Sequence, residues 1–148
     1  MKRMTLCVVH DARRVLLGMK KRGFGEGRWN GFGGKLHEGE TPLQAAAREL
    51  HEEVGITAAP RPIGVLRFHL PGMELEVHLF RVTSFTGEPV ESEEMRPAWF
   101  AFRDVPYETM WPDDRHWLPR VLAGESLDGE FWFSDEDTIE RFTLTKRS

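Results

Sequence analysis

The sequence predicts a chain of mixed α and β structure, with strands set around two helices. One stretch, residues 41–55, carries apolar residues at helical spacing and is marked at both ends. Short runs rich in β-branched and aromatic residues recur before and after it. Strands flanking two helices make a mixed α+β or three-layer α/β architecture.

In chain order, residues 5–9 and 14–19 read as strands, separated by the turn-prone pair His10 and Asp11. Residues 20–34 hold Lys20, Lys21, Arg22, Arg28 and six glycines, so they read as a loop of special backbone geometry. In the helix that follows, Thr41 serves as N-cap, Pro42 suits the first turn, and Gln44 completes a capping box. Leu43, Ala46, Ala47, Leu50 and Val54 form its apolar stripe, and Gly55 ends it. Residues 62–70 and 74–84 read as strands joined by a turn at Pro71 and Gly72, with a shorter strand at 98–102. A second helix fits 114–122, where Trp117, Val121 and Leu122 give a partial stripe and Pro119 is an awkward interior residue. Residues 130–133 and 139–144 read as closing strands.

The 148 residues suit a single domain, 1–148, since no repeat, low-complexity tract or linker interrupts them. A net charge of -4 gives no general attraction to nucleic acid or anionic membrane, so a polyanion would need a local site. The apolar stretch 6–9 is far too short for a signal core or a membrane span. Cys7 is the single cysteine, which excludes an internal disulfide and fits a reducing, cytoplasmic setting. Within its apolar run it reads as a buried small hydrophobe. His51, His69 and His78 show no metal-ligand spacing.

The first helix carries the chemistry. At about 100° per residue, Glu49 and Glu53 lie about 40° apart with Glu52 on the neighbouring flank. Like charges at i,i+4 cost a helix roughly 0.2–0.5 kcal/mol. A hard divalent cation would offset that repulsion, because Mg²⁺ prefers carboxylate oxygens and bridges phosphates. A solvated acidic face with Arg48 as partner is the alternative that these three residues alone leave open.

From Gly34 the chain reads G-KLHEG-E-TPLQAAA-RELHEEVGI. Gly34, Glu40, Arg48, Glu49, Leu50, Glu52, Glu53, Gly55 and Ile56 match every specified position of the Nudix signature, and on them the sequence resembles the Nudix hydrolases. The resemblance implies the Nudix fold, an α/β/α sandwich with a mixed sheet. It implies Mg²⁺, with Mn²⁺ as a substitute, held by Glu49, Glu52 and Glu53 and completed by the Gly33 carbonyl. Arg48 would orient the glutamates through charge-assisted hydrogen bonds, and Glu40 would support that network.

The stretches RVLLGMKKRGFGEGRWNGFGGK, ESEEMRPAWF and MWPDD resemble more narrowly the eukaryotic MutT homologues, the oxidised purine nucleoside triphosphatases. That likeness implies hydrolysis of 8-oxo-dGTP and 2-hydroxy-dATP to monophosphate and pyrophosphate, with water as cosubstrate, by a monomer without nucleic-acid or membrane partners. It assigns Asn30 to hydrogen-bond the purine, Trp111 to stack on it, and Asp113 and Asp114 to read its edge. Phe24, Thr5, Lys20 and Phe133 match positions lining the same pocket, and Glu94 matches a further acid near the metals. The chain departs from the subfamily between Phe68 and Val77, where it is shorter by two residues. There Leu70 replaces an expected aromatic ring, and Leu75 stands for a pocket methionine. A Nudix hydrolase of another nucleotide, or an idle nucleotide-binding Nudix fold, are the competing expectations.

Overall fold

Eight strands join one mixed sheet in a computed structural model that describes Met1–Ser148. They are β1 (Lys2–His10), β2 (Arg14–Lys20), β3 (Trp29–Asn30), β4 (Arg61–Leu70), β5 (Met73–Val82), β6 (Met95–Ala101), β7 (Leu127–Asp135) and β8 (Thr138–Lys146). The order is β3-β2-β1-β5-β4-β7-β8, and β6 pairs antiparallel with β2 from Arg14↔Ala101 to Lys20↔Met95. The pairs β1–β5 and β4–β7 are parallel.

Two helices cover the sheet, α1 (Pro42–Val54) and α2 (Asp114–Leu122). The strand alternation sorts the core between them. Cys7 and Val9 of β1 pack with Ala46, Leu50 and Val54 of α1, whereas Val8 packs with Trp117, Leu118 and Val121 of α2. Each large apolar side chain buried in this way contributes about 1.5–3 kcal/mol. No helix is long and apolar enough to cross a membrane.

The ends of α1 are as the sequence predicts. Thr41 Oγ1 accepts from the Gln44 N–H at 3.2 Å, Gln44 Oε1 accepts from the Thr41 N–H at 2.9 Å, and Gly55 closes the helix at φ 75°. The stripe differs at two positions: Ala47 is only part-buried, and Leu43 is 47 % exposed, because the cover over that face ends before the first turn. Its place in the buried set is taken by Ala45 and, on the acidic flank, Glu53. Pro119 is tolerated inside the second helix.

One irregularity positions the site. β2 pairs with β1 only at Val9↔Leu16 and His10↔Val15, then turns to β3 at Gly18↔Asn30 and Met19↔Trp29. Beyond that point β1 and β2 splay apart, and the glycine-rich segment fills the gap. The Thr5 N–H donates to Gly34 O at 2.9 Å, and Cys7 and Phe32 exchange backbone bonds of 2.6 and 3.1 Å. Only glycine fits so close a return: a Cβ at Gly33 would stand 1.8 Å from Thr5 O. β3 was hidden in the sequence by the glycines around it, and the other strands run one to three residues beyond most of their predicted ends.

Candidate active site

The splay brings the Gly33–Gly34 segment against the acidic flank of α1. The Gly33 N–H donates to Glu53 Oε1 at 2.8 Å, and a Cβ at Gly34 would press within 2.8 Å of the Glu49 carboxyl. Glu53 is only 2 % exposed, and burial, then the charge of Glu49, pushes its carboxyl up to about 8. Arg48 ties the neighbouring acids together. Its Nε and Nη2 donate to Glu40 at 2.7 and 2.9 Å, and its Nη1 donates to Glu49 at 2.8 Å and Glu52 at 3.2 Å. The fork to Arg48, then the His37 N–H, holds Glu40 down at about 2. Glu52 is largely exposed. Glu94 lies farther out, 3.9 Å from Arg22, and its charge adds to the pressure on Glu53.

No three His, Cys, Asp or Glu side chains close into a cage, since Glu49 turns to Arg48 and Glu53 to the Gly33 amide. The donors are all oxygens, however, and two acids on adjacent turns share too little positive charge. That donor set fits a hard divalent cation.

From Glu53 an open cavity of about 880 Å³, solvent at its mouth included, runs between the splayed strands toward α2. Thr5, Lys20, Phe24, Asn30, Trp111, Asp113, Asp114 and Phe133 all line it, together with Gly33 and Glu53. Eight positions spread from the first strand to the seventh are thus gathered in one wall. Asn30 is a β3 residue opposite Gly18 rather than a free turn residue. Phe24, at the tip of the glycine-rich loop, stacks on Trp111 with ring centroids 5.0 Å apart and is 48 % exposed. Phe133 belongs to both core and cavity. Leu70 and Leu75 also line the wall, beside Phe68 and Val77 of the β4–β5 hairpin. Met4, Leu6 and Met95 were not foreseen as lining residues. For Met4 and Leu6, the alternation of β1 around Thr5 was the available signal.

The cavity floor holds two buried carboxyls, Asp113 at 4 % exposure and Asp114 at 2 %. Neither caps α2. Asp113 occupies the N-cap position without a side-chain bond to the helix backbone, and its Oδ2 accepts from Trp117 Nε1 at 2.8 Å. Asp114 Oδ2 is buried with no hydrogen-bond partner. Burial first, then the charge of Asp113, raises Asp114 well above the usual carboxylate range, and burial also raises Asp113. Both carboxyls therefore favour the protonated form, Asp114 foremost, while the Trp117 N–H favours the ionised form of each.

An aromatic cavity with a proton-sharing floor at one end and a crowded acidic helix at the other suits a ligand with a heteroaromatic ring and a polyanionic tail. Comparison with known proteins bears on which. The NUDIX domain model matches residues 2–121. The chain belongs to the Nudix family. Among its relatives, the oxidized purine nucleoside triphosphate hydrolase of Mus musculus is 48% identical over 143 residues, covering 95% of this chain and 92% of that one. The protein of that name from Danio rerio is 49% identical over 146 residues, covering 97% and 94%. Among solved structures, the MutT protein from Bacillus halodurans superposes with a TM-score of 0.86 at 29% identity, over 97% of both chains. The mixed sheet between two helices is the fold of the Nudix family, whose members work with divalent metal ions.

Proposed function

We propose that this Nudix protein hydrolyses oxidised purine nucleoside triphosphates, of the 8-oxo-dGTP and 2-hydroxy-dATP type, to monophosphate and pyrophosphate. The observation that carries the reading is the buried, unpartnered Asp114 oxygen beside Asp113 at the end of an aromatic cavity. A protonated Asp114 donates to a purine carbonyl oxygen, and an ionised Asp113 accepts from a ring N–H or amino group. Moving the proton between them lets one floor receive both oxidised guanine and oxidised adenine. Trp111 and Phe24 supply π-faces for the base, and Asn30 is within the same wall to hydrogen-bond it. Thr5, Lys20 and Phe133 complete the pocket. High identity to two relatives of that activity, over nearly the full length, supports the same substrate class.

Glu49, Glu52 and Glu53 would hold Mg²⁺, with the Gly33 carbonyl and Glu94 at its margin. Held by these residues, a cation would supply neutralisation of phosphate charge and a lowered pKa for the attacking water. Arg48 and Glu40 keep the glutamates aimed, through the forked bonds described above. The protein acts as one domain, a cytoplasmic monomer whose partners are nucleotide and water. Pyrophosphate release from 8-oxo-dGTP, 2-hydroxy-dATP, dGTP and dATP in Mg²⁺ tests the reading. The oxidised nucleotides should lead by about tenfold or more in kcat/KM, about 1.4 kcal/mol of discrimination. Equal cleavage of all four leaves a Nudix hydrolase of other nucleotides, and no cleavage of any rejects the substrate class.

A further inference from the structure

Trp111 is not held by its own segment alone. Arg28, the residue before β3, places its guanidinium carbon 4.2 Å from the Trp111 ring centroid. Its Nη1 donates to the Met110 carbonyl at 3.0 Å, gripping the peptide that leads into Trp111. Its Nη2 donates to Asp137 Oδ1 at 2.7 Å, in the turn between β7 and β8. The base of the side chain is fixed as well, by bonds from Arg28 N–H to Gly25 O and from Lys20 N–H to Arg28 O. The side chain is 20% exposed, so a planar cation is locked against the cavity wall from three separate segments.

The segment that Arg28 grips leads directly into the floor: the Asp114 N–H donates to the carbonyl of Trp111, the residue whose ring Arg28 backs, at 3.1 Å. The groups that bear on the Asp113–Asp114 pair are His116 and Trp117 on α2, Tyr107 on the 3-10 turn ahead of it, and Arg28 from the glycine-rich loop, while Thr5, Lys20, Asn30 and Glu53 line the same cavity. Tyr107 stays a neutral phenol, pushed up to about 12 by burial and then by Asp114. His116 favours ionised Asp113. Arg28 favours ionised Asp114, against the burial and the Asp113 charge that protonate it.

We propose that Arg28 is a positioning residue that sets purine preference, backing the Trp111 ring while placing a fixed positive charge against Asp114. The inference rests on the reading of Asp113 and Asp114 as the base-recognising pair. With Arg28 present, the arrangement with ionised Asp114 stays within reach, so the floor offers an acceptor as well as a donor at that position. Without it, Asp114 remains a donor and the floor suits a 6-carbonyl purine better than a 6-amino one.

Two variants separate this role from a structural one. Arg28→Met keeps the apolar stem and loses the charge; Arg28→Lys keeps the charge and loses the flat, forked contact. Binding of 8-oxo-dGMP and 2-hydroxy-dAMP to the metal-free protein reads preference without requiring catalysis, and a carboxyl ¹³C NMR titration reads Asp114 without any ligand. In Arg28→Met the Asp114 titration should move to higher pH, and the Kd ratio should shift toward 8-oxo-dGMP by about threefold or more. In Arg28→Lys both ligands should bind more weakly while titration and ratio stay near those of the parent protein. A uniform loss of affinity in Arg28→Met, with ratio or titration unmoved, overturns the proposal, as does a parent protein that binds neither monophosphate. If the monophosphates bind with the shifted ratio but no triphosphate is hydrolysed, Arg28 keeps its role and only the catalytic reading fails.

Discussion

The two ends of the cavity hold the same chemical device, neighbouring carboxyls, in opposite surroundings. On α1, Arg48 binds Glu40, Glu49 and Glu52 in one network, and Glu40 is held at about 2. At the floor, Asp113 and Asp114 have no salt-bridge partner, and burial raises both carboxyls above the usual range. The difference decides what each end can receive. Acids gathered on Arg48, with the buried and proton-holding Glu53 beside them, offer oxygen ligands to a hard cation and, through it, a seat for phosphate. Acids kept partly protonated present a donor and an acceptor side by side, which is what a purine edge requires.

The largest expected effect lies at the phosphate end. Glu53→Gln preserves the shape and the bond from the Gly33 amide but removes the carboxyl that can ionise toward a cation, and should lower kcat by about 10²–10⁴-fold, the range for groups acting directly on the reacting proton or its activator. Binding of a nucleoside monophosphate in the absence of metal should be unchanged in that variant. If base binding falls together with kcat, the two ends are not separable.

A smaller loss, of a different kind, is expected at the base end. Trp111→Ala removes a stacking face worth about 1–3 kcal/mol per base, a rise in KM of roughly 5- to 150-fold with kcat largely kept. A fall in kcat with KM unchanged would place Trp111 outside base recognition.

The two ends were unequally legible in the sequence. The acidic helix is written locally: caps, stripe and glutamates fall within 15 residues, 41–55, and one helical period relates them. The floor is assembled from β1, the glycine-rich loop, the segment before α2, and β7, so no local period points to it. Only resemblance to a family brought Asn30, Trp111, Asp113 and Asp114 together beforehand. Arg28 stands out in the sequence only as one charge of a basic loop, because its contacts, Met110 and Asp137, are 82 and 109 residues away in the chain. Leu43 misled for the converse reason, since helical spacing gives the face a residue shares but not how far the sheet extends beneath it.

Stability against pH should contrast the ends most plainly, with effects smaller than those on catalysis. Glu40 is held below its ordinary value, so its contribution is present above about pH 4.5 and is lost as pH falls toward about 2. Glu40→Gln should therefore melt below the parent protein at neutral pH, with the gap closing in acid. Asp114 is raised, so its cost to the fold is absent below about pH 3.8 and grows as pH rises. Asp114→Asn should melt above the parent at neutral pH, and that advantage should disappear near pH 4. Thermal melts of both variants from pH 3 to 8, without metal, check the opposite slopes; parallel slopes would erase the distinction between the ends. The least effect belongs to the helix frame, where Thr41→Ala should cost about 1 kcal/mol in unfolding free energy through the lost cap.

The most direct test of the central claim, that a proton shared by two buried aspartates selects the base, is the ratio of kcat/KM for 8-oxo-dGTP over 2-hydroxy-dATP in the parent protein and in Asp113→Asn. Fixing an amide at one of the two positions removes the exchange of the proton between them. The ratio should move by several-fold, about 1 kcal/mol of differential recognition. An unchanged ratio in a folded, active variant would contradict it.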